Sequence, residues 1–242
     1  MTHPLVFCNR SSSALKYAAD ELMANGITVV DHPTPEVTHL LLDVPTRHIP
    51  EGLLDRLPEH IVIVGGKLET PELTGYRTLD LLLDEEYLAR NASITAECAL
   101  RVASQRMETV FSNTPVLVIG WGRIGKCLCH LLHALNCSVT VAAREGSDRA
   151  ILQALGFKTA DPLHLTDLHQ YRLIFNTAPS PILDRKQLTG FPQCIKIDLA
   201  SSPGLDAEDV LWARGLPGVY APESSGKLIA KTFLKRFKEG CA

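Results

Sequence analysis

The stretch that decides the fold is Pro115-Val116-Leu117-Val118-Ile119-Gly120-Trp121-Gly122-Arg123-Ile124-Gly125. Four consecutive apolar residues, three of them β-branched, predict a strand buried in a parallel sheet. Three glycines follow at the spacing G-x-G-x-x-G, and after them apolar residues recur every three or four positions, which is typical of a helix. The glycines therefore lie between a strand and a helix, the context in which such a loop is typical of dinucleotide binding.

Each glycine of this loop has a predicted task. Gly120 permits the tight turn, Gly122 lets the backbone approach a pyrophosphate, and Gly125 lets the helix pack closely on its strand. The helix N-terminus adds N–H groups and a partial positive charge, and a second apolar strand over residues 137–142 completes a strand–helix–strand unit. A purely structural glycine turn is the alternative. We predict that a dinucleotide is bound by Gly120, Trp121, Gly122, Arg123, Ile124 and Gly125.

Composition and charge exclude several classes of function. The 242 residues are enough for one large or two modest domains, and 45% of them are hydrophobic. The net charge of −3 argues against a nucleic-acid-binding protein. No apolar run reaches the length of a membrane span, and the stretch Met1-Thr2-His3-Pro4 shows no signal peptide. The seven cysteines, an odd number, predict free thiols in a reducing cytoplasm.

The helix after the glycine loop carries four residues of types that bind metals: Cys127, Cys129, His130 and His133. Cys129 and His133 are four residues apart and share one helical face. No second pair of ligands has the spacing usual for a metal site. We therefore predict core thiols and surface histidines, and no metal.

Strands alternate with helices before and after the glycine loop, which predicts an α/β protein. We expect a small flavodoxin-like N-terminal domain and a Rossmann-type NAD(P)-binding domain, joined by long helices. A linking helix is predicted to begin at Ser93 or Thr95, with Glu97 in its first turn, and a C-terminal helix at Ser224-Ser225-Gly226, returning to the N-terminal domain. The predicted boundaries are 1–92 for the N-terminal domain, 93–112 for the linking helix, 113–223 for the dinucleotide-binding domain and 224–242 for the C-terminal helix.

The end of the second strand favours NADP over NAD. NAD-binding proteins place a carboxylate there for the ribose hydroxyls, but this chain has Ala143 and Arg144. An arginine suits a 2′-phosphate, because its planar guanidinium can form two charge-assisted hydrogen bonds, and Ser147 could add a hydroxyl. Glu145 leaves NAD open, since a shift of one residue would restore the acid.

Motifs that share one order along the chain carry a family resemblance. They are Asn91-Ala92, Thr95-Ala96-Glu97, Gly120-Trp121-Gly122-Arg123-Ile124-Gly125-Lys126, Val141-Ala142-Ala143-Arg144, Asn176-Thr177-Ala178-Pro179, Ile197-Asp198-Leu199-Ala200-Ser201-Ser202-Pro203-Gly204, Gly215-Leu216-Pro217-Gly218 and Ala221-Pro222-Glu223-Ser224-Ser225-Gly226. Through them the last 150 or so residues resemble the A subunit of dipicolinate synthase.

The resemblance implies a cytoplasmic oxidoreductase that oxidises dihydrodipicolinate, a lysine-pathway dicarboxylate, to dipicolinate with NADP. In spore-forming bacteria this product accumulates in the spore core. A flavoprotein-like B subunit is the partner in this family, and we also expect a homo-oligomer. Two alternatives stay open: a dehydrogenase of another small carboxylate, and a dinucleotide-binding regulatory subunit without turnover.

Ligands of open α/β sheets lie outside the carboxyl ends of the strands. This rule adds five cofactor residues to Ala143, Arg144 and the glycine loop: Asn176, Thr177, Ala178, Leu199 and Ala200. For catalysis we predict Thr95 as an anion holder at a helix start, Glu97 as the base and Ser201 as a hydrogen-bond donor to a substrate carboxylate. A carboxylate in a first helical turn and serines that cap turns are the alternatives for Glu97 and Ser201. The predicted substrate residues are Ser202, Pro217, Gly218, Ser224, Ser225 and Gly226.

Overall fold

The computed structural model describes residues 4–240 and contains two compact units. The first unit comprises Met1–Asn91 and Pro217–Ala242, and the second comprises Ala92–Leu216. Each described sheet is wholly parallel, which confirms the α/β fold class. The described residues form the α-helices α1 (Ser13–Ala24), α2 (Glu85–Ser104), α3 (Arg123–Ala134), α4 (Gly146–Ala154), α5 (Arg185–Leu188), α6 (Leu216–Tyr220) and α7 (Pro222–Lys238).

The first unit is built on a five-stranded sheet with the order β2-β1-β3-β4-β5, which is the flavodoxin-like order. Its strands are β1 (Leu5–Phe7), β2 (Thr28–Val30), β3 (His39–Leu41), β4 (Val62–Gly65) and β5 (Arg77–Asp80). Helix α1 follows β1 and begins where the Ser12 hydroxyl accepts the backbone N–H of Leu15 at 3.2 Å. Its apolar residues recur at helical spacing and form one buried face.

The second unit is built on a six-stranded sheet with the order β11-β10-β9-β6-β7-β8, which is the Rossmann order. Its strands are β6 (Pro115–Ile119), β7 (Ser138–Ala142), β8 (Lys158–Ala160), β9 (Leu173–Asn176), β10 (Ile195–Asp198) and β11 (Val210–Trp212). The strand order reverses between β6 and β9, so a ligand crevice is expected at the carboxyl ends of these two strands.

The predicted start of the linking helix is wrong, because α2 begins at Glu85 rather than at Ser93 or Thr95. Asp84 precedes the helix, and its carboxylate accepts the backbone N–H of Tyr87 at 2.8 Å, satisfying one N–H group of the first turn. Tyr87 is itself buried. Thr95 and Glu97 therefore lie in the second half of α2, away from the N–H groups at its start. The prediction that Thr95 holds an anion at a helix start is wrong for the same reason.

The predicted start of the C-terminal helix is also wrong, since α7 begins at Pro222. Proline is well suited to the first helical position, where its missing N–H costs nothing. The backbone N–H of Ser225 already bonds within the helix region, to the Ala221 carbonyl at 3.0 Å. Ser225 and Gly226 are both buried.

Helix α7 packs against α1 in the first unit, and Gly226 lies at the contact. A Cβ atom on Gly226 would collide with the carbonyl oxygen of Ala14, and it would lie 2.7 Å from Cβ of Tyr17 and 2.8 Å from the backbone N of Ala18. Backbone atoms cannot give way as the end of a flexible side chain can. This glycine is therefore explained by close helix packing.

Two ion pairs join α7 to the start of α2. Arg236 Nε donates to Asp84 Oδ2 at 2.6 Å, and Lys235 Nζ lies 2.5 Å from Glu86 Oε2. Burial alone would raise the pKa of Asp84, but hydrogen bonds from the Tyr87 N–H and the Arg236 guanidinium outweigh that effect and lower it. The Asp84 carboxylate therefore stays charged opposite Arg236.

We expect Gly226→Ala to lower the free energy of unfolding by about 1–3 kcal/mol, because the added methyl group overpacks the contact between α1 and α7. Chemical denaturation measures this change. Gly218→Ala is the matched control, since a Cβ atom on Gly218 would meet nothing within 4 Å. Equal stability of the two variants would contradict the packing explanation.

Candidate functional site

The glycine loop between β6 and α3 is held by contacts that leave no room for side chains at two of its glycines. Gly120 has a φ of +102°, and a Cβ atom there would collide with Oγ1 of Thr177. A Cβ atom on Gly125 would collide with the carbonyl oxygen of Gly120. The Thr177 hydroxyl donates to the Ile119 carbonyl at 3.0 Å, so the loop after β9 is fastened to the end of β6.

Gly122 differs from these two glycines. A Cβ atom there would meet nothing within 4 Å, and its φ of −79° and ψ of −169° are open to other residues. Neither chain packing nor backbone conformation requires a glycine here. The open space beside the backbone fits the approach of a dinucleotide pyrophosphate.

Helix α3 begins at Arg123, and no side chain caps its start at Gly122. The first N–H groups of an α-helix have no partner within the helix, which makes its start suitable for an anion. The other residues of the loop differ in exposure: Arg123 is exposed and Ile124 is half-buried. The Trp121 ring lies beside α3, with its centroid 6.4 Å from that of Phe157 and 5.7 Å from Nζ of Lys126.

A buried carboxylate, Asp198 at the end of β10, organises the neighbouring loops. Oδ1 accepts the side-chain amide of Asn176 and the backbone N–H of Ala200, both at 3.0 Å. Oδ2 accepts the backbone N–H groups of Gly204 at 2.7 Å and Leu205 at 3.0 Å. Asp198 has no exposed surface, so its charge is compensated by these hydrogen bonds. The loops after β9 and β10 are thereby held together.

Asn176 is predicted as a cofactor ligand, but the structure gives its side chain a different task. The amide is buried, and its Nδ2 donates to Asp198 and to the Ala178 carbonyl at 3.0 Å each. Its Oδ1 accepts the Ala178 N–H at 3.1 Å. Both N–H groups are used within the protein, so Asn176 shapes the loop containing Thr177 and Ala178 rather than presenting a free donor.

The loop after β10 combines two buried residues with two exposed serines. Leu199 and Ala200 are buried, and the Ala200 carbonyl accepts the indole N–H of Trp212 at 3.0 Å. Ser201 and Ser202 are exposed to solvent. Neither Trp212 nor the close packing of Gly204 against the Asn176 amide was predicted, because their partners lie 12 and 28 residues away in sequence.

The remaining predicted residues lie in different places. In the second unit, Thr95 is buried in α2 and Glu97 is exposed on the same helix. The predicted substrate residues Pro217 and Gly218 belong to α6. Together with Ser224, Ser225 and Gly226 they are part of the first unit.

The turn after β7 carries the residues predicted to distinguish NADP from NAD. Ala143 is buried, whereas the Arg144 side chain is 82% exposed, with Nε 3.6 Å from Oε1 of Glu145. Arg149 was not predicted. Its Nη1 donates to the carbonyls of Ala143 and Arg144, at 2.7 Å each.

The described cysteines are all free: Cys8, Cys98, Cys127, Cys129, Cys137 and Cys194. Cys241 lies outside the described residues, as do Met1, Thr2 and His3 of the N-terminal stretch. Burial raises the pKa of Cys129 to about 12, so this thiol is protonated at neutral pH. Within residues 4–240, no group of three or more histidine, cysteine or carboxylate side chains could hold a metal ion, and no helix is both long and apolar enough to span a membrane.

Comparison with known proteins yields one curated relative and several similar structures. The A subunit of dipicolinate synthase from Bacillus subtilis (strain 168) is 31% identical over 204 residues, which cover 77% of this chain and 68% of the relative. The crystal structure of the same subunit from Bacillus halodurans has a TM-score of 0.79 at 22% identity, covering 97% of this chain and 98% of that one. A transhydrogenase from Sinorhizobium meliloti has a TM-score of 0.73 at 12% identity, covering 98% of this chain and 94% of that one. No protein-family model matches.

Gly122→Val tests whether the open space in the loop holds a ligand. We expect the branched side chain to weaken nucleotide binding by roughly 10- to 100-fold, because it occupies the path of the pyrophosphate. Titration calorimetry with NADP and NAD measures the affinity, and circular dichroism checks the fold. Gly218→Val is the control. Unchanged affinity in a folded Gly122→Val protein would mean that the loop is only structural.

Asp198→Asn tests the organising role of the buried carboxylate. An amide in its place turns one acceptor into a donor that faces backbone N–H groups, so we expect a loss of about 1–3 kcal/mol in the free energy of unfolding. Asp206→Asn, at an exposed carboxylate in the same loop, is the control. If both variants unfold at the same denaturant concentration, Asp198 does not hold the loops.

Proposed function

Because the chain belongs to the family of dipicolinate synthase A subunits, we propose that it is an NADP-dependent oxidoreductase that converts dihydrodipicolinate to dipicolinate. The observation that carries the proposal is the glycine loop. Two of its glycines are required by internal packing, and Gly122 borders open space at the point where the strand order of a Rossmann sheet reverses. We assign this open space to the pyrophosphate of the dinucleotide.

The residues around the loop fit a bound nicotinamide dinucleotide. The start of α3 supplies N–H groups for the pyrophosphate, and the hydrogen bonds of Asp198 fix the loops after β9 and β10 before a ligand arrives. Such preorganisation lowers the entropic cost of binding. When bound, the nicotinamide would accept the hydride that the substrate ring loses.

The protein's own chemical contribution in this proposal is orientation and proton transfer. Dihydrodipicolinate loses a hydride and a proton, and its ring becomes aromatic, so the driving force lies in the substrate. We assign Ser201 and Ser202 to the substrate carboxylates, because both serines are exposed in the loop that Asp198 holds, and a hydroxyl group can donate to a carboxylate. Glu97, which is exposed on α2, is the proposed proton acceptor.

The proposed preference for NADP rests on Arg144. Its guanidinium is exposed at the carboxyl end of β7, where the adenosine ribose binds in Rossmann domains. Ser147 lies in the first turn of α4, whose N-terminal end favours an anion. The Glu145 carboxylate lies close to Arg144, so the guanidinium would exchange this contact for the 2′-phosphate.

The name of the curated relative supports a partner protein, because it describes one subunit of a synthase that has more than one. We propose that this chain likewise pairs with a flavoprotein-like B subunit. In this proposal it acts in the cytoplasm and forms a homo-oligomer.

Arg144→Ala tests the choice of cofactor. We expect the wild-type protein to bind NADP more tightly than NAD, and the variant to lose roughly 10- to 100-fold in NADP affinity while keeping its NAD affinity, because a charge-assisted phosphate contact is removed. Titration calorimetry with both nucleotides measures this. Equal affinities in the wild-type protein would contradict the proposed preference.

An assay of NADPH formation with freshly generated dihydrodipicolinate tests the reaction. We expect absorbance at the NADPH wavelength to rise with the wild-type chain and not with Gly122→Val, in one series without the partner protein and in a second series with it. If the protein oxidises another small carboxylate and not dihydrodipicolinate, the proposed substrate is wrong. Nucleotide binding without turnover in either series would favour a regulatory role.

A further inference from the structure

The Arg149 side chain in α4 hydrogen-bonds to the backbone of the turn after β7. One nitrogen, Nη1, donates to two successive backbone carbonyls, those of Ala143 and Arg144, at 2.7 Å each. These carbonyls belong to the two peptide groups on either side of the Arg144 Cα atom. A peptide group is planar, so fixing its carbonyl also fixes the direction of its N–H.

The backbone torsions of Arg144 are determined by those two peptide planes. Arg149 therefore fixes the direction in which the Arg144 side chain leaves the turn after β7. The side chain itself has little else to order it, since it is 82% exposed and its guanidinium lies 3.6 Å from Glu145. An exposed arginine loses several free torsions when it binds a phosphate, and a fixed starting direction reduces that cost.

Arg149 is itself held from two sides. Its side chain is only 27% exposed, and Nη1 lies 3.9 Å from Oδ2 of Asp161, which follows β8. Asp161 is fixed in turn by accepting the backbone N–H of Leu163 at 3.0 Å. At the other end, the backbone N–H of Arg149 bonds to the Glu145 carbonyl at 3.1 Å. The contacts connect the ends of β7 and β8 through one guanidinium.

We propose that Arg149 is a positioning residue for recognition of the 2′-phosphate of NADP: it holds both peptide groups that flank Arg144 and so aims the Arg144 guanidinium. The inference rests on the proposed preference for NADP. It assigns discrimination between the two nucleotides to a pair of arginines, of which Arg144 contacts the phosphate and Arg149 acts through the backbone.

The test compares NADP and NAD affinities of the full-length chain by titration calorimetry. In Arg149→Met, which keeps an unbranched side chain but loses every donor, we expect the ratio of NADP to NAD affinity to fall about tenfold and NAD affinity to change less than about twofold. Arg149→Lys, whose ammonium can still reach a carbonyl, should lie between wild type and Arg149→Met. Arg185→Met is the control, since Arg185 is an exposed arginine of the same unit paired with Glu208 at 3.0 Å.

The double variant Arg144→Ala/Arg149→Met separates positioning from direct binding. If Arg149 acts through Arg144, the double variant has the same affinity ratio as Arg144→Ala alone. The positioning role would be overturned if the affinity ratio of the double variant fell by the product of the two single effects. It would also be overturned if Arg149→Met kept the wild-type affinity ratio while Arg144→Ala lost the preference for NADP. If Arg149→Met does not fold, Arg149→Gln, which keeps an amide donor, takes its place in both comparisons. A wild-type protein without NADP preference would instead remove the cofactor proposal together with this inference.

Discussion

The candidate site depends first on one buried carboxylate. Burying an ionised Asp198 is unfavourable unless hydrogen bonds replace its hydration. Four donors do so: the Asn176 amide at the end of β9 and three backbone N–H groups of the loop after β10. The same bonds that compensate the charge also determine where the loops after β9 and β10 lie. Asn176 extends the arrangement, because it links Asp198 to the residues packed against Gly120. The edge of the sheet at which a nucleotide is expected is therefore a connected hydrogen-bonded structure and not a set of independent loops.

The glycine loop shows how one motif can combine two kinds of constraint. Gly120 and Gly125 are needed because Thr177 and the chain itself occupy the space that a Cβ atom would take. Gly122 has no such neighbour, so packing within the described chain does not require a glycine there. In the proposed function, this open side of the loop is where the pyrophosphate lies. It supports the cofactor part of the proposed function more strongly than the substrate part, which depends on exposed serines and a solvent-facing glutamate.

Both helix starts that were predicted wrongly show the same limit of local reasoning. Ser93, Thr95 and Ser224 are good capping residues, and nothing within a few residues of them argues against a helix start. The start of α2 is set instead by Asp84, whose partner Arg236 lies 152 residues further along the chain, and by burial of Tyr87. In α7, Gly226 is packed closely against α1, and the helix begins before it, at Pro222. Several residues could begin each helix on local grounds, and contacts with distant parts of the chain determine which one does.

The sequence by itself determined the fold class, the glycine loop with its strand and helix, and the family, because these depend on hydrophobic periodicity and on motifs of adjacent residues. It also identified Asp198 and Asn176 as parts of a motif. Three roles follow only from the tertiary structure. The Asn176 amide shapes the loop after β9, Gly226 allows α1 and α7 to pack closely, and Arg149 hydrogen-bonds to the backbone of the turn that contains Arg144. Each of these roles depends on atoms brought within hydrogen-bonding or van der Waals distance by folding. These distances depend on how the helices and strands pack, so local sequence patterns do not predict them.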